Sequence, residues 1–276
     1  MRPQRERIFN VPAVVLAAVV VLFGIHAATQ FLSDETNLNL LRQFAFVPGR
    51  FTYAFDPQRI GAVVVAAQDK SQFDGAVARF FLGNGTPLWW TPVTYAFLHA
   101  SYLHVGFNCL WLIAFGAAVA RRFGTWRFLL FCLTATVAGA LAHYLTHMDD
   151  LQPVVGASAV VSGTMGAAVR FVFQQGAPLG EGAGFTDPRF ELTYHRPPLP
   201  LRNILTDRRA MVFLAAWFFA NLLFGLAPQL SGLHGVTIAW QAHIGGFLVG
   251  LFAFPLFDPP PPKVAPQDKP LDGELL

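Results

Sequence analysis

The chain reads as an all-α membrane protein: six membrane-spanning helices in a bundle, with a long first outer loop. Three observations predict this. The 276 residues are 54% hydrophobic and only 13% charged, with a mean hydropathy of +0.46, whereas a soluble domain of this length needs far more polar surface. Six segments each approach the roughly 20 mostly apolar residues that a span requires. The arginines cluster in alternate connections between these segments, the asymmetry that sets membrane orientation.

The first segment, Val11–Leu32, follows Arg2, Arg5 and Arg7. It is too long for a signal peptide and Ala27-Ala28 is a poor cleavage site, so it reads as a retained anchor. A long connection runs from Ser33 to about Trp90. Its apolar run "IGAVVVAA" is too short to span, which predicts a partly structured loop packed on the membrane surface. "LWWTP" closes it, and Trp89 and Trp90 suit an interfacial belt. The remaining spans are placed at Tyr102–Ala120, Trp126–Thr146, Val154–Phe173, Ala210–Leu226 and Ala239–Phe257. The chain thus divides into residues 1–10, a six-span domain at 11–257, and a tail at 258–276, "DPPPPKVAPQDKPLDGELL", whose proline content predicts disorder.

Arg121, Arg122 and Arg127 lie between spans two and three, and Arg189, Arg196, Arg202, Arg208 and Arg209 between spans four and five. With the N-terminus they alternate correctly to share the cytoplasmic side, which puts both termini there. The opposite connections, "HMDDLQP" and "APQLSGLHGVTI", are acidic or uncharged. A net charge of +3 gives no reason to invoke nucleic acid. Cys109 and Cys132 lie in apolar runs and predict packing rather than a disulfide.

Orientation fixes depth. Spans two, four and six enter from outside, so His104 and Asn108 fall in the outer half of one, Ser158 about one turn into the next, and His243 about one turn into the last. Polar groups in a membrane core are costly and usually face the bundle interior or a water-filled cavity. Their convergence marks a candidate site. A serine hydroxyl attacks only when a base takes its proton, and histidine is the usual base at neutral pH. Attack on a carbonyl creates an oxyanion that needs preorganised donors. His104 and Asn108 share one helix face and both can donate, and the Ser158 N–H, near a helix start, has no intrahelical acceptor. The spans contain no Asp or Glu, which leaves a dyad rather than a triad. Ala159 and Gly163 on span four, and Gly246 and Gly250 on the face of His243, are small residues at the spacing that lets membrane helices approach.

The stretches "HASYLHVGFNCLWLIAFG", "GASAVVSGTMGA" and "AHIGGFLVG" resemble, in order, the three signature helices of the rhomboid intramembrane serine proteases, and the likeness covers most of the chain. The resemblance implies Ser158 as nucleophile and His243 as general base. His104, Asn108 and the Ser158 N–H would be the oxyanion donors, with Gly156 the glycine of Gly-x-Ser, His99 the upstream histidine, and Gly246 and Gly250 supporting the motif. It implies hydrolysis of peptide bonds in transmembrane segments of other proteins through an acyl-enzyme, without cofactor or metal. The partners are then transmembrane substrates and the bilayer, and the expected setting is a bacterial inner membrane. Trp217, Phe218 and Phe219 on span five are either lipid-facing bulk or the flank of a substrate gate. Three positions depart from the family pattern. Ala159 replaces a glycine that often follows the nucleophile. Ser162 stands where many members carry an aromatic against the catalytic histidine. Thr91 follows Trp90 where some members have Arg.

Blander readings stand beside these. Serines in membrane helices mostly pack and bond back to a carbonyl, and Ser101 and Ser162 keep that reading. His99 reads as a loop anchor. His143 and His147, followed by Asp149 and Asp150, have a metal-compatible spacing that an interfacial position explains equally well. The absence of His-Glu-x-x-His and of paired intramembrane Asp argues against zinc and aspartyl proteases. Two rivals remain, a catalytically silent client-binding relative and a transporter. The second is disfavoured because no internal repeat with interrupted helices is visible.

Overall fold

α1 (Ala13–Thr29) begins behind Pro12 and carries no charged residue, with His26 in its last turn. In the computed structural model, which describes residues 11–174, 177, 194–226 and 239–260, every regular element is a helix, apart from one antiparallel bridge between Phe46 and Val154. Arg2, Arg5, Arg7 and Arg189, the uncharged loop at 227–238 and the tail beyond 260 lie outside the described residues.

The long connection is more ordered than its sequence suggests, with four helices in place of a partly structured loop. α2 (Asp34–Phe44) is capped by Ser33, whose side chain accepts from the Thr36 N–H, and has Asp34 and Glu35 in its first turn, where negative charge favours the helix dipole. α3 (Pro48–Tyr53) follows. α4 (Pro57–Lys70) is capped by Asp56 and α5 (Gln72–Leu82) by Ser71. The last two pack together over Val47, Ile60, Val64, Ala78, Phe81 and Leu151. Arg50 is buried at their edge, and its guanidinium donates to the carbonyls of Phe81 and Arg42, both at 2.5 Å. Burial, with Arg42 nearby, lowers the Arg50 pKa to about 10.

α6 (Thr91–Thr94) runs into a 3₁₀ turn at Tyr95–Phe97, and the Tyr95 hydroxyl donates to the Thr136 carbonyl at 2.9 Å. α7 (Tyr102–Phe123) is capped by Ser101 and carries a π turn at Leu112–Gly116. Gly124, at φ +75°, turns the chain into α8 (Thr125–Thr146). Among the described residues, α7 and α8, 22 residues each, are the two helices long and apolar enough to cross a membrane.

α9 (Ser158–Val169) has 12 residues and rises only about 18 Å, less than the roughly 30 Å hydrocarbon core. The fourth apolar segment is therefore helical only over its middle. Val154 exchanges backbone hydrogen bonds with Phe46, and Gly156 sits at φ +123°, so the chain is extended until Ala157. Ser158 is the first residue of the helix rather than one turn inside it. Every other residue of α9 is buried, so this helix is the axis of the bundle. α10 (Leu201–Ile204) and α11 (Arg208–Leu226) follow.

The sixth segment is broken into α12 (Trp240–Phe252) and α13 (Phe254–Phe257). Pro255 has no N–H for the carbonyl four residues back, which belongs to Leu251; Arg170 donates to that carbonyl instead, at 2.8 Å. At the end of the bundle away from Ser158, Arg122 is buried. It pairs with both carboxylate oxygens of Asp258 at 2.7 and 2.8 Å and donates to the carbonyls of Tyr194 and Arg196, each at 2.7 Å. Its guanidinium also lies over the rings of Phe171 and Phe254.

Candidate active site

α9 and α12 meet backbone to backbone. A Cβ on Gly246 would overlap the carbonyl oxygen of Ala159, one on Gly250 the carbonyl oxygen of Gly163, and one on Gly166 the carbonyl oxygen of Phe247. The first two of these pairs advance in the same direction along both helices. The two helices therefore run parallel, with their first turns at the same end. α8 joins them through equally small residues: a Cβ on Gly163 would lie 2.9 Å from the Ala135 Cβ, and one on Gly139 would lie 3.0 Å from the Ala242 carbonyl. The small residues whose spacing predicts close approach are the ones in contact.

Ser158 directly precedes Ala159 and opens α9; His243 lies one turn before Gly246 on α12. Both are half-buried. The His243 ring is held from α11, where its Nδ1 lies 2.6 Å from Asn221 Oδ1. Asn221 is buried, and its Nδ2 donates to the Trp217 carbonyl at 2.8 Å. The Trp217 ring stacks on Phe247 of α12, with centroids 4.1 Å apart and planes 22° from parallel, which fixes α11 against α12. Phe218 and Phe219 point outward, 55% and 64% exposed, so the aromatic triplet is split between two faces.

The approach to Ser158 is shaped by Gly156. Its N–H donates to the Tyr95 carbonyl at 2.9 Å. A Cβ at Gly156 would stand 2.7 Å from His104 Cε1, 2.8 Å from its Nε2 and 3.8 Å from Asn108 Nδ2. Only glycine combines this positive φ with passage over the imidazole. Asn108 is buried and its Nδ2 donates to the His104 carbonyl at 3.1 Å. The structure thus brings Gly156, His104 and Asn108 together beside the start of α9.

His99 accepts from the Ala157 N–H through Nε2 at 3.4 Å. Its ring meets that of His104 edge-on at 5.0 Å, and that of His26 at 6.5 Å. Burial, reinforced by His104 and His26, holds the His99 pKa down to about 3. It is neutral and free to accept, an anchor for the segment before Ser158. His143 and His147 stack at 4.7 Å, between the Arg59–Asp149 ion pair and Gln241 at the start of α12, whose Nε2 lies 3.5 Å from His147 Nε2. Ser162 is buried within α9. Sequence reasoning missed Asn221; an asparagine inside an apolar helix was the available signal, but its partner lies 22 positions away.

Residues 86–258 match the Rhomboid domain family. The chain is 38% identical to Rhomboid protease GluP of Bacillus subtilis over 165 residues, which is 60% of this chain and 25% of that protein. It is 29% identical to Rhomboid protease GlpG of Haemophilus influenzae over 163 residues, 59% of this chain and 66% of that protein. It is 28% identical to Rhomboid protease GlpG of Yersinia pestis over 162 residues, 59% of this chain and 46% of that protein. The chain therefore spans less than two thirds of the length of these relatives.

Proposed function

The chain belongs to the rhomboid family, and from that premise we propose that it is an intramembrane serine endopeptidase using a Ser158–His243 dyad. The observation that carries the reading is the parallel, glycine-lined contact of α9 and α12, with Ser158 and His243 on first turns at one end. His243 Nε2 takes the Ser158 proton as Oγ bonds to the carbonyl carbon of the scissile peptide. The oxyanion is held by His104, Asn108 and the Ser158 N–H, which as the first residue of α9 has no intrahelical acceptor. Collapse breaks the C–N bond, and His243 returns its proton to the leaving amine. Water, deprotonated by the same base, then releases the acyl product. This chemistry requires no metal or cofactor.

The reading extends to the whole chain. We place a six-span domain at 11–257 with both termini in the cytoplasm of a bacterial cell. Its partners are the bilayer and transmembrane segments of other proteins that approach beside α11, where Trp217, Phe218 and Phe219 flank the access path. The grouping of Arg122, the 194–196 carbonyls and Asp258 at the end away from Ser158 supports a basic cytoplasmic end and an outward-facing site.

The test is cleavage of a transmembrane substrate by purified protein in detergent. Wild type should cleave and should be labelled at Ser158 by a fluorophosphonate. Ser158→Ala should abolish both, and His243→Ala should abolish cleavage, while Ser162→Ala should be mild. Near-normal cleavage by either dyad variant would overturn the assignment.

A further inference from the structure

We propose that Asn221 is a positioning residue for the base, a third member that selects the tautomer and angle of His243; the proposal rests on the dyad reading above. Three links carry it. The Trp217 carbonyl can only accept, so the Asn221 group facing it at 2.8 Å is the amide Nδ2. That leaves Oδ1 toward His243 Nδ1, 2.6 Å away. Oδ1 also can only accept, so Nδ1 carries the ring proton. In a neutral imidazole the lone pair is then on Nε2, the form that a general base needs.

The geometry also fills a gap in the charge inventory. No carboxylate occurs in the apolar segments, so the role of orienting the base, which an acid fills in a triad, falls to a neutral amide. A neutral acceptor suits an apolar setting, where an unpaired carboxylate would be costly to bury. Asn221 sits on α11 and His243 on α12. The bond therefore links the helix beside the proposed access path to the base itself, and Trp217 on Phe247 holds the same two helices together one turn away.

The experiment compares Asn221→Leu and Asn221→Asp with wild type, Ser158→Ala and His243→Ala in steady-state cleavage of a transmembrane substrate in detergent. Asn221→Leu keeps the volume and loses the acceptor. The Trp217 carbonyl is not orphaned, since it still accepts the helical N–H bond, so the one group that loses its partner is His243 Nδ1. Its kcat should fall about 10-fold, what a hydrogen bond of ordinary net strength supplies, with KM unchanged. Asn221→Asp retains an acceptor oxygen and should recover most of the rate. A wild-type kcat in Asn221→Leu overturns the proposal, as does equal loss in Leu and Asp variants or a raised KM with normal kcat. Cleavage by Ser158→Ala or His243→Ala would overturn the dyad itself, a separate result. If Asn221→Leu does not fold, Asn221→Ala takes its place. Nitrogen-15 NMR of the wild type gives an independent reading, since a His243 ring protonated at Nε2 and bare at Nδ1 would overturn the proposal.

Discussion

The carbonyl oxygen of Ala159 occupies the space that any side chain at Gly246 would require. The two helices carrying Ser158 and His243 are spaced at this level by that backbone contact, with no side chain between them.

Gly246→Ala should therefore push α12 off α9. Overpacking of this kind costs about 1–3 kcal/mol, and the displacement should remove most of the cleavage activity. Gly24→Ala is the control, since nothing lies within 4 Å of a Cβ there, and its helical position favours alanine by roughly 0.5–1 kcal/mol. Thermal unfolding in detergent and substrate cleavage, measured on both variants, should separate them.

His104→Ala and Asn108→Ala should lower turnover more than substrate affinity. A donor to an oxyanion acts mainly in the transition state, and losing one typically costs about 10²–10³ in rate. Steady-state kinetics decide it: normal kcat with a raised KM would instead place the two residues in ground-state binding.

Asp258→Ala should destabilise the protein by about 3 kcal/mol, at the low end of what breaking a buried pair costs. Arg122 would keep its two carbonyl acceptors and its two rings, but its charge would lose its counterion. Replacing both, Arg122→Met together with Asp258→Ala, leaves no unpaired charge, keeps apolar volume and should cost less. Denaturant or thermal unfolding of the two variants gives the order.

The proposed orientation can be tested on intact cells. A cysteine at Gln152, which is exposed in the connection before α9, should react with a membrane-impermeant maleimide added outside. One at Arg202, exposed on the far side of α9, should not. The reverse pattern would invert the protein and move cleavage to the cytoplasmic side, and labelling of both would break the six-span count.

Much of this arrangement was legible in the sequence because it depends on local spacing. Gly246 and Gly250 four apart, and His104 and Asn108 four apart, declare a shared helix face without reference to any partner. The helices of the long connection were legible in part: Ser33, Asp56 before Pro57, and Ser71 are ordinary cap signals, but "IGAVVVAA" drew the reading toward a short apolar run. The start of α9 was not legible, because the extension through Val154 is set by pairing with Phe46, more than a hundred positions earlier. Asn221 was missed for the same reason. An amide in an apolar helix declares a need for a partner but not which one.

The π turn at Leu112–Gly116 bears on how α7 tolerates changes of length. In an unbroken α-helix, Arg122 would come back to within about 40° of the azimuth of Asn108. One extra residue in the wide turn sets it back by about 100°. The upper half can then aim Asn108 toward Gly156 while the lower half aims Arg122 toward Asp258. Substitutions between these two residues change packing only locally. A single-residue deletion there would erase the wide turn and leave the two halves at nearly their present angle, whereas removing a second residue would rotate one half against the other by about 100°, so that one of the two polar anchors must let go. Homologous chains that keep both anchors should accordingly keep the interval between them or shorten it by the one residue of the wide turn, even where every residue within it has changed.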